Sequence, residues 1–589
     1  MPLEFINENS EYWWRQAAIN RRAWTWEDAH TMQRQGEWWQ HAVIYQIFPW
    51  SFMDSDANGI GDLPGILSKL DYVKSLGVDA VWLTPIYPSE HDDAGYDVKK
   101  LDAIDPLFGT MADFENLLTV AHDFELKVLI DQVWNHTSNE HPWFRESSAS
   151  QDNPKADWYV WADPAPEGGP PNNWLSAFTG DTAWCWHKQR RQYYLANFLP
   201  GQPELNWHNE AVVEALLERA KFWLDKGVDG FRIDAVNFFY HDPDLEDNPK
   251  RIPEHGLPDG IDPNNPMASQ HFSRSFCRPE TLHKLKRIRQ LVDQYPHVVT
   301  LGEVTLCEDS IDLSGQYVEG SDRLHLAYNS ALLQDEPITT KLLRQVTKRI
   351  SYHFPEGGQC WMVGNHDYQR LRSRWTGKDV TGEPYPKPFY HMIAGLLVAL
   401  PGAVCLYQGD ELGLPEARIP EDIPPEQLKD PFGKALYPKL PGRDVSRTPM
   451  PWCADAPNAG FTTAAKSWLP VPQAHHDLAI DRQNADPKSL LNTWRRLLHW
   501  RQKQPALIAG DFQTYRSDDR IFAFIRRYAE QSLLCLFNLS PHTTPFSLPE
   551  LLDKSNVQTL LVNQSEITLK GEELICSPYA AVFLSTLES

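Results

Sequence analysis

Four short segments carry side chains able to do chemistry: DQVWNH at 131–136, GFRIDAV at 230–236, LGEV at 301–304 and GNHD at 364–367. They supply Asp131, Asn135 and His136, then Arg232 and Asp234, then Glu303, then Asn365, His366 and Asp367. A fifth segment, AGYDV at 94–98, adds Tyr96 and Asp97. Arg232 and Asp234 alternate with Phe231 and Ile233, so in a strand both project to one side. One buried ion pair of this kind could be purely structural. Three segments that each bring a carboxylate to one place are harder to explain so, because clustered like charges are costly unless used. Glycoside hydrolysis uses such a set: one carboxylate attacks the sugar and another donates a proton.

Those segments meet only if they end neighbouring elements of one scaffold. Eight apolar runs read as strands: 42–49, 80–85, 127–133, 230–236, 298–304, 325–329, 360–366 and 402–409. Helical stretches lie between them, such as 63–77, 111–125 and 211–227. Eight strands alternating with helices predict an α/β fold, a (β/α)8 TIM barrel, in which active residues sit at the strands' C-terminal ends. The gap after the third strand, 137–208, is rich in Pro, Asn, Trp and Gly and too long for a connecting loop, so it reads as an inserted subdomain. The barrel then comprises 37–136 and 209–511. Residues 512–589 alternate without helices and read as a C-terminal antiparallel β-sandwich. Residues 1–36 read as an N-terminal helical extension, and 415–441 as an ordered loop after the last strand.

Composition narrows the class further. Asp plus Glu number 79 against 55 Lys plus Arg, a net charge of −24, so phosphates would be repelled. No nucleic-acid or membrane partner is expected. The eight cysteines are scattered with no C-x-x-C pair, which argues against a clustered zinc or redox site and for reduced thiols in a cytoplasmic protein. The N-terminus shows no basic and apolar leader, and the longest apolar stretch, 393–407, is too short to span a bilayer.

Taken together, the four segments resemble in order and spacing the signature regions of the α-amylase family, glycoside hydrolase family 13, over roughly 38–589. QPELNW at 202–207 resembles the fifth region of its oligo-1,6-glucosidase and α-glucosidase branch, with Glu204 where that branch usually has Asp. CLYQGDELGLPE and GRDVSRTPMPW resemble the same branch, closest to bacterial transglucosylating α-glucosidases. The resemblance implies a retaining exo-acting α-glucosidase on short maltose- or sucrose-type oligosaccharides, working as monomer or homodimer. It implies Asp234 as nucleophile, Glu303 as general acid then base, and Asp367 as stabiliser of the distorted sugar ring. Arg232 would hold Asp234 ionised, and His136 and His366 would bond the sugar hydroxyls. Tyr96 would stack on the ring, with Phe178 and Phe198 as walls. Asp97 and Arg443 would pair to close the pocket. Ala235, next to the nucleophile, leaves room where valine goes with α-1,6 preference. An isomerising sister enzyme, a trehalose synthase or sucrose isomerase, would share all these residues. A non-catalytic heavy-chain-like relative would lack the carboxylates present here.

One motif stands apart. DSDANGIGD at 54–62 places oxygen ligands at alternating positions with glycine at the sixth, as in an EF-hand loop. Asp54, Asp56, Asn58, Asp62 and the Ile60 carbonyl could wrap one structural divalent cation. The resemblance makes it Ca2+ (or Mg2+). The glutamate of position twelve is absent; Gly65 stands there.

Overall fold

A computed structural model describes residues 37–587 apart from 253–256, 260, 262, 264, 336–337, 376–384, 421, 437–441, 516, 549–557, 562–566 and 571–572. The expected helical extension at 1–36 lies outside the described residues.

All eight expected strands form. They are β1 Val43–Ile47, β2 Ala80–Leu83, β3 Lys127–Gln132, β7 Gly230–Ile233, β8 Val299–Glu303, β9 Leu326–Tyr328, β10 Gln359–Trp361 and β11 Ala403–Tyr407. They pair in parallel into a closed barrel in the order β1-β11-β10-β9-β8-β7-β3-β2. Strand alternation sorts the core into two layers. Ile44, Trp82, Leu129, Leu301, Leu326 and Cys405 fill the barrel interior. Their neighbours Tyr45, Val81, Ile130, Phe231 and Leu406 face the surrounding helices. Buried on both sides, the strands read as near-continuous apolar runs, which is why sequence located them.

The helices follow local signals. Thr110 and Asp113 form a reciprocal capping box at the start of Met111–Asp123. Asn209 caps Glu210–Asp225. The stretch expected as one helix over 63–77 is two, Leu63–Leu67 and Leu70–Leu76. Between them the Ser68 hydroxyl bonds the Gly65 carbonyl and Lys69 leaves helical geometry.

Between β3 and β7 the chain builds a small antiparallel sheet of β4 Trp161–Ala162, β5 Trp184–His187 and β6 Gln192–Leu195. After the barrel comes a five-stranded antiparallel sheet and a three-stranded one. Ile521, Ala523, Leu534 and Val582 of the first pack against Phe546, Leu574 and Cys576 of the second. Phe522, Phe524, Phe537 and Phe583 face the other way and join the barrel's helical layer. Among the described residues no helix is long and apolar enough to cross a membrane.

Candidate active site

Register decides which side chains reach the barrel mouth. Asp131 on β3 lies opposite Arg232 on β7, and Arg232 lies opposite Leu301 on β8. Leu129 and Leu301 point into the interior, so Asp131 and Arg232, in step with them, do too. Glu303 ends β8, and Asp234 follows β7. Arg232 is wholly buried and engages four partners. Its Nη1 donates to Asp131 Oδ1 at 2.9 Å and to Asp234 Oδ1 at 2.6 Å. Its Nη2 pairs with Glu303 Oε2 at 2.6 Å. Nε and Nη2 also donate to the Tyr328 hydroxyl, at 3.2 and 2.7 Å. Trp82 lies under the guanidinium at 4.9 Å, a cation–π contact.

One cation cannot neutralise three carboxylates. Burial raises Asp131 to about 6 against the pull of Arg232, and raises Asp234 well above the usual carboxylate range. Arg232 does pull Asp234 toward its ionised form, as expected, but the guanidinium is shared, and burial first, then the neighbouring carboxylates, work against that pull. Burial thus favours the protonated forms of Asp131 and Asp234, whose titrations are linked through the shared guanidinium.

Asp367 sits in the opposite setting. Arg443 Nη1 and Arg447 Nη2 donate to its Oδ1 at 2.7 and 2.9 Å. Burial resists its ionisation, but His366 and these two guanidiniums hold it well below the usual range. Arg443 also reaches Asp430 Oδ1 at 2.7 Å and Asp93 Oδ1 at 2.8 Å. The expected Asp97–Arg443 pair is thus corrected to Asp93–Arg443. Asp97 is buried but committed locally: Ser89 Oγ donates to it at 2.6 Å, as do the Glu90, Asp92 and Asp93 amides. The turn at Ala94 (φ 50°) and Gly95 (φ 110°) separates the two roles, and Gln202 Nε2 donates to the other Asp93 oxygen at 3.1 Å.

The Tyr96 hydroxyl donates to Asp131 Oδ2 at 2.9 Å and meets His366 Nε2 at 2.8 Å, with the two rings stacked at 5.4 Å. Burial lowers His366 to about 3, so it is neutral. With Gln46 Nε2 against Nδ1 at 2.7 Å, its proton sits on Nε2. His136, lowered to about 4 by burial, meets the Tyr96 carbonyl at 3.2 Å and the Asn135 amide at 3.3 Å. A sugar hydroxyl at either histidine must share a nitrogen that already has a protein partner.

Phe178 and Phe198 lie 5.4 Å apart, the first under the Arg443 guanidinium at 4.8 Å and the second beside His136 at 5.2 Å. Ala235 is buried in the left-handed region (φ 41°, ψ 43°) and packs in an apolar cluster with Phe198, Phe238 and Phe276. Its amide donates to Glu303 Oε2 at 3.1 Å. Asp93, Tyr328, Arg447 and Gln46 belong to this constellation without having been singled out from sequence.

The loop at 54–62 is tested on its donors. Carboxylate oxygens of Asp54, Asp56 and Asp62 lie within 4.8 Å of one another. Asp54 is buried and takes the Asp56, Ala57 and Gly59 amides, and Asp62 caps the helix at Leu63. Hard oxygen donors this close fit a hard divalent cation, which would relieve their mutual repulsion. Asp54, Asp56 and Asp62, with Asn58 and the Ile60 carbonyl, would hold it, and its role there would be structural. A chelator is expected to lower Tm while leaving kcat at low temperature nearly unchanged, because a ligand of the folded state alone stabilises by mass action. Scanning calorimetry with and without chelator, beside initial rates, checks this; an unchanged Tm would remove the cation.

A (β/α)8 barrel with carboxylates from its strand ends gathered on one arginine defines a glycoside hydrolase site. The chain belongs to the α-amylase family: the alpha amylase catalytic-domain model matches residues 46–510. A probable alpha-glucosidase of Rhizobium meliloti is 43% identical over 513 residues, 87% of this chain and 91% of that one. An oligo-1,6-glucosidase of Heyndrickxia coagulans is 34% identical over 580 residues, covering 92% and 98%. The crystal structure of XgtA, an alpha-glucosyl transfer enzyme, superposes with a TM-score of 0.87 at 44% identity, covering 94% of this chain and all of that one.

Proposed function

We propose that this chain is a retaining, exo-acting α-glucosidase that takes terminal α-linked glucose from short oligosaccharides through a covalent β-glucosyl-enzyme. The observation that carries the reading is the pair of 2.6 Å contacts by which Arg232 aims both Asp234 and Glu303 from its two terminal nitrogens. Glu303 acts as the acid: it gives a proton to the leaving oxygen as the Asp234 carboxylate attacks the anomeric carbon. Glu303, now ionised, then takes a proton from water, whose oxygen displaces Asp234. A sugar hydroxyl in place of water gives transglucosylation. Asp367, fully ionised, bonds ring hydroxyls and stabilises the positive charge of the transition state. The Asp93–Arg443–Asp367 bridge closes the pocket behind one glucose, which makes the enzyme exo-acting. The two carboxyls should stand roughly 5–5.5 Å apart, as retention requires.

The acceptor side is where Ala235 acts. Its small side chain leaves room beside the bond to be cleaved, so maltose or sucrose is preferred over isomaltose. Valine adds two methyls and a β-branch at a left-handed residue, where such side chains strain. The expected result for Ala235→Val is a shift in the kcat/KM ratio between linkages of roughly tenfold or more, the worth of one or two methyls. Rates on the three disaccharides, with products identified and the first anomer read by NMR, test the whole reading. Expected are α-glucose first and a moved ratio. β-Glucose first overturns retention, and an unmoved ratio or a wild-type preference for isomaltose removes Ala235 as selector.

A further inference from the structure

We propose that Gln46 is a positioning residue: its side-chain amide fixes which way His366 points its N–H, and through His366 it aims Asp367 at the sugar. The role of Asp367 is taken here from the glucosidase function proposed above. Gln46 lies on β1, wholly buried and in step with the interior-facing Ile44. His366 is wholly buried as well. Its ring is stacked between Phe48 at 6.0 Å and Tyr96 at 5.4 Å, with Trp82 edge-on at 6.2 Å. These rings hold the plane of the imidazole but not its sense. A half-turn about the Cβ–Cγ bond keeps the same plane and exchanges nitrogens for carbons, so hydrogen bonds must choose. Gln46 Nε2 meets His366 Nδ1 at 2.7 Å. On the far side, His366 Nε2 faces the Tyr96 hydroxyl at 2.8 Å and Asp367 Oδ2 at 3.3 Å. Arg443 and Arg447 both donate to Asp367 Oδ1, which favours the carboxylate, and a carboxylate Oδ2 can only accept. His366 Nε2 therefore carries the proton, Nδ1 accepts, and Gln46 must present its NH2.

That orientation strands the other end of the amide. Gln46 Oε1 is buried with no hydrogen-bond partner among the described residues, which costs stability. Turning the amide over would set Oε1 against the lone pair of Nδ1, so the cost stays. An apolar side chain of the same length would pack on β1 without it. A buried polar group kept at such a cost is the mark of a site residue. Donation then runs one way: Gln46 to His366, His366 to Tyr96 and Asp367, and Tyr96 to Asp131 Oδ2 at 2.9 Å. With the polarity reversed, a bare ring nitrogen would face Asp367 Oδ2 and repel it. The Asp367 side chain is 22% exposed, and Oδ2, which neither arginine holds, is the oxygen left to accept from a sugar hydroxyl.

The test is Gln46→Met, which keeps the length and removes the amide. The Tm should be unchanged or raised, because the stranded acceptor leaves with it. The kcat/KM on an aryl α-glucoside should fall at least about tenfold, in line with partners that orient a working histidine at metal sites. Most of the fall should lie in kcat, because Asp367 acts on the transition state. On a panel of monodeoxy glucosides the loss should shrink for the analogue that lacks the hydroxyl Asp367 bonds, since coupled groups are not additive. Equal loss on every analogue, or unchanged kcat/KM, overturns the proposal. A second measurement needs no turnover. Nitrogen-15 spectra of histidine-labelled wild type, with the His366 signal identified by its absence from His366→Asn, should show Nε2 protonated and Nδ1 bare. A proton on Nδ1 overturns the proposal. Wild type that cleaves no α-glucoside would instead overturn the glucosidase function and leave the ring assignment standing.

Discussion

Asp234→Asn and Glu303→Gln should each retain the fold and lose at least about 10³-fold in kcat/KM on maltose. Both changes are near-isosteric, so packing around Arg232 survives, and each deletes one chemical role worth several orders of magnitude. The two losses should differ in kind. Asp234→Asn removes the atom that bonds to the sugar, so no leaving group rescues it. Glu303→Gln removes a proton donor, so a substrate whose leaving group needs no proton should recover much of the first step. Circular dichroism and Tm establish the fold, and steady-state rates on maltose and on an activated α-glucoside give the two losses. Near-wild-type turnover in either variant would refute the assignment.

Arg232→Met should be the most destabilising single change at the site. It leaves Asp131, Asp234 and Glu303 without their shared cation, and stranding buried charge costs about 3–5 kcal/mol. The loss should depend on pH in a definite direction. Burial already raises Asp131 to about 6 and raises Asp234 well above the usual carboxylate range. At these two carboxyls the folded state therefore binds more protons than the unfolded one above about pH 4, and their contribution to stability falls as pH rises through the folded values. Removing Arg232 raises both carboxyls again and extends that fall toward neutrality. The Tm deficit of Arg232→Met relative to wild type is expected to be larger at pH 7.5 than at pH 5. A deficit equal at both pH values would mean that the arginine acts by packing alone.

The barrel was legible because each strand is an apolar run bounded by polar residues, and because Arg232 and Asp234 break such a run at alternate positions. The same parity reveals Gln46 within AVIYQIFP and Tyr328 within HLAYN, both inward-facing and both part of the site. What composition could not decide is which aspartate of HDDAGYD crosses to Arg443. Asp92, Asp93 and Asp97 are chemically identical, and the choice is made by two left-handed residues, Ala94 and Gly95, that turn the chain between them. Nor could it give the proton balance around Arg232. That depends on how many carboxylates share one guanidinium, a count that exists only after β3, β7 and β8 are brought into register.

The covalent step is tested most directly by trapping. Glu303→Gln incubated with an α-glucosyl fluoride should react once, because fluoride departs without an acid, and then stall, because no base activates water. Intact-mass and peptide mapping should find one added hexosyl unit on the peptide carrying Asp234, absent when Asp234→Asn is combined with it. Fluoride release with no adduct, or an adduct on another residue, would contradict the account.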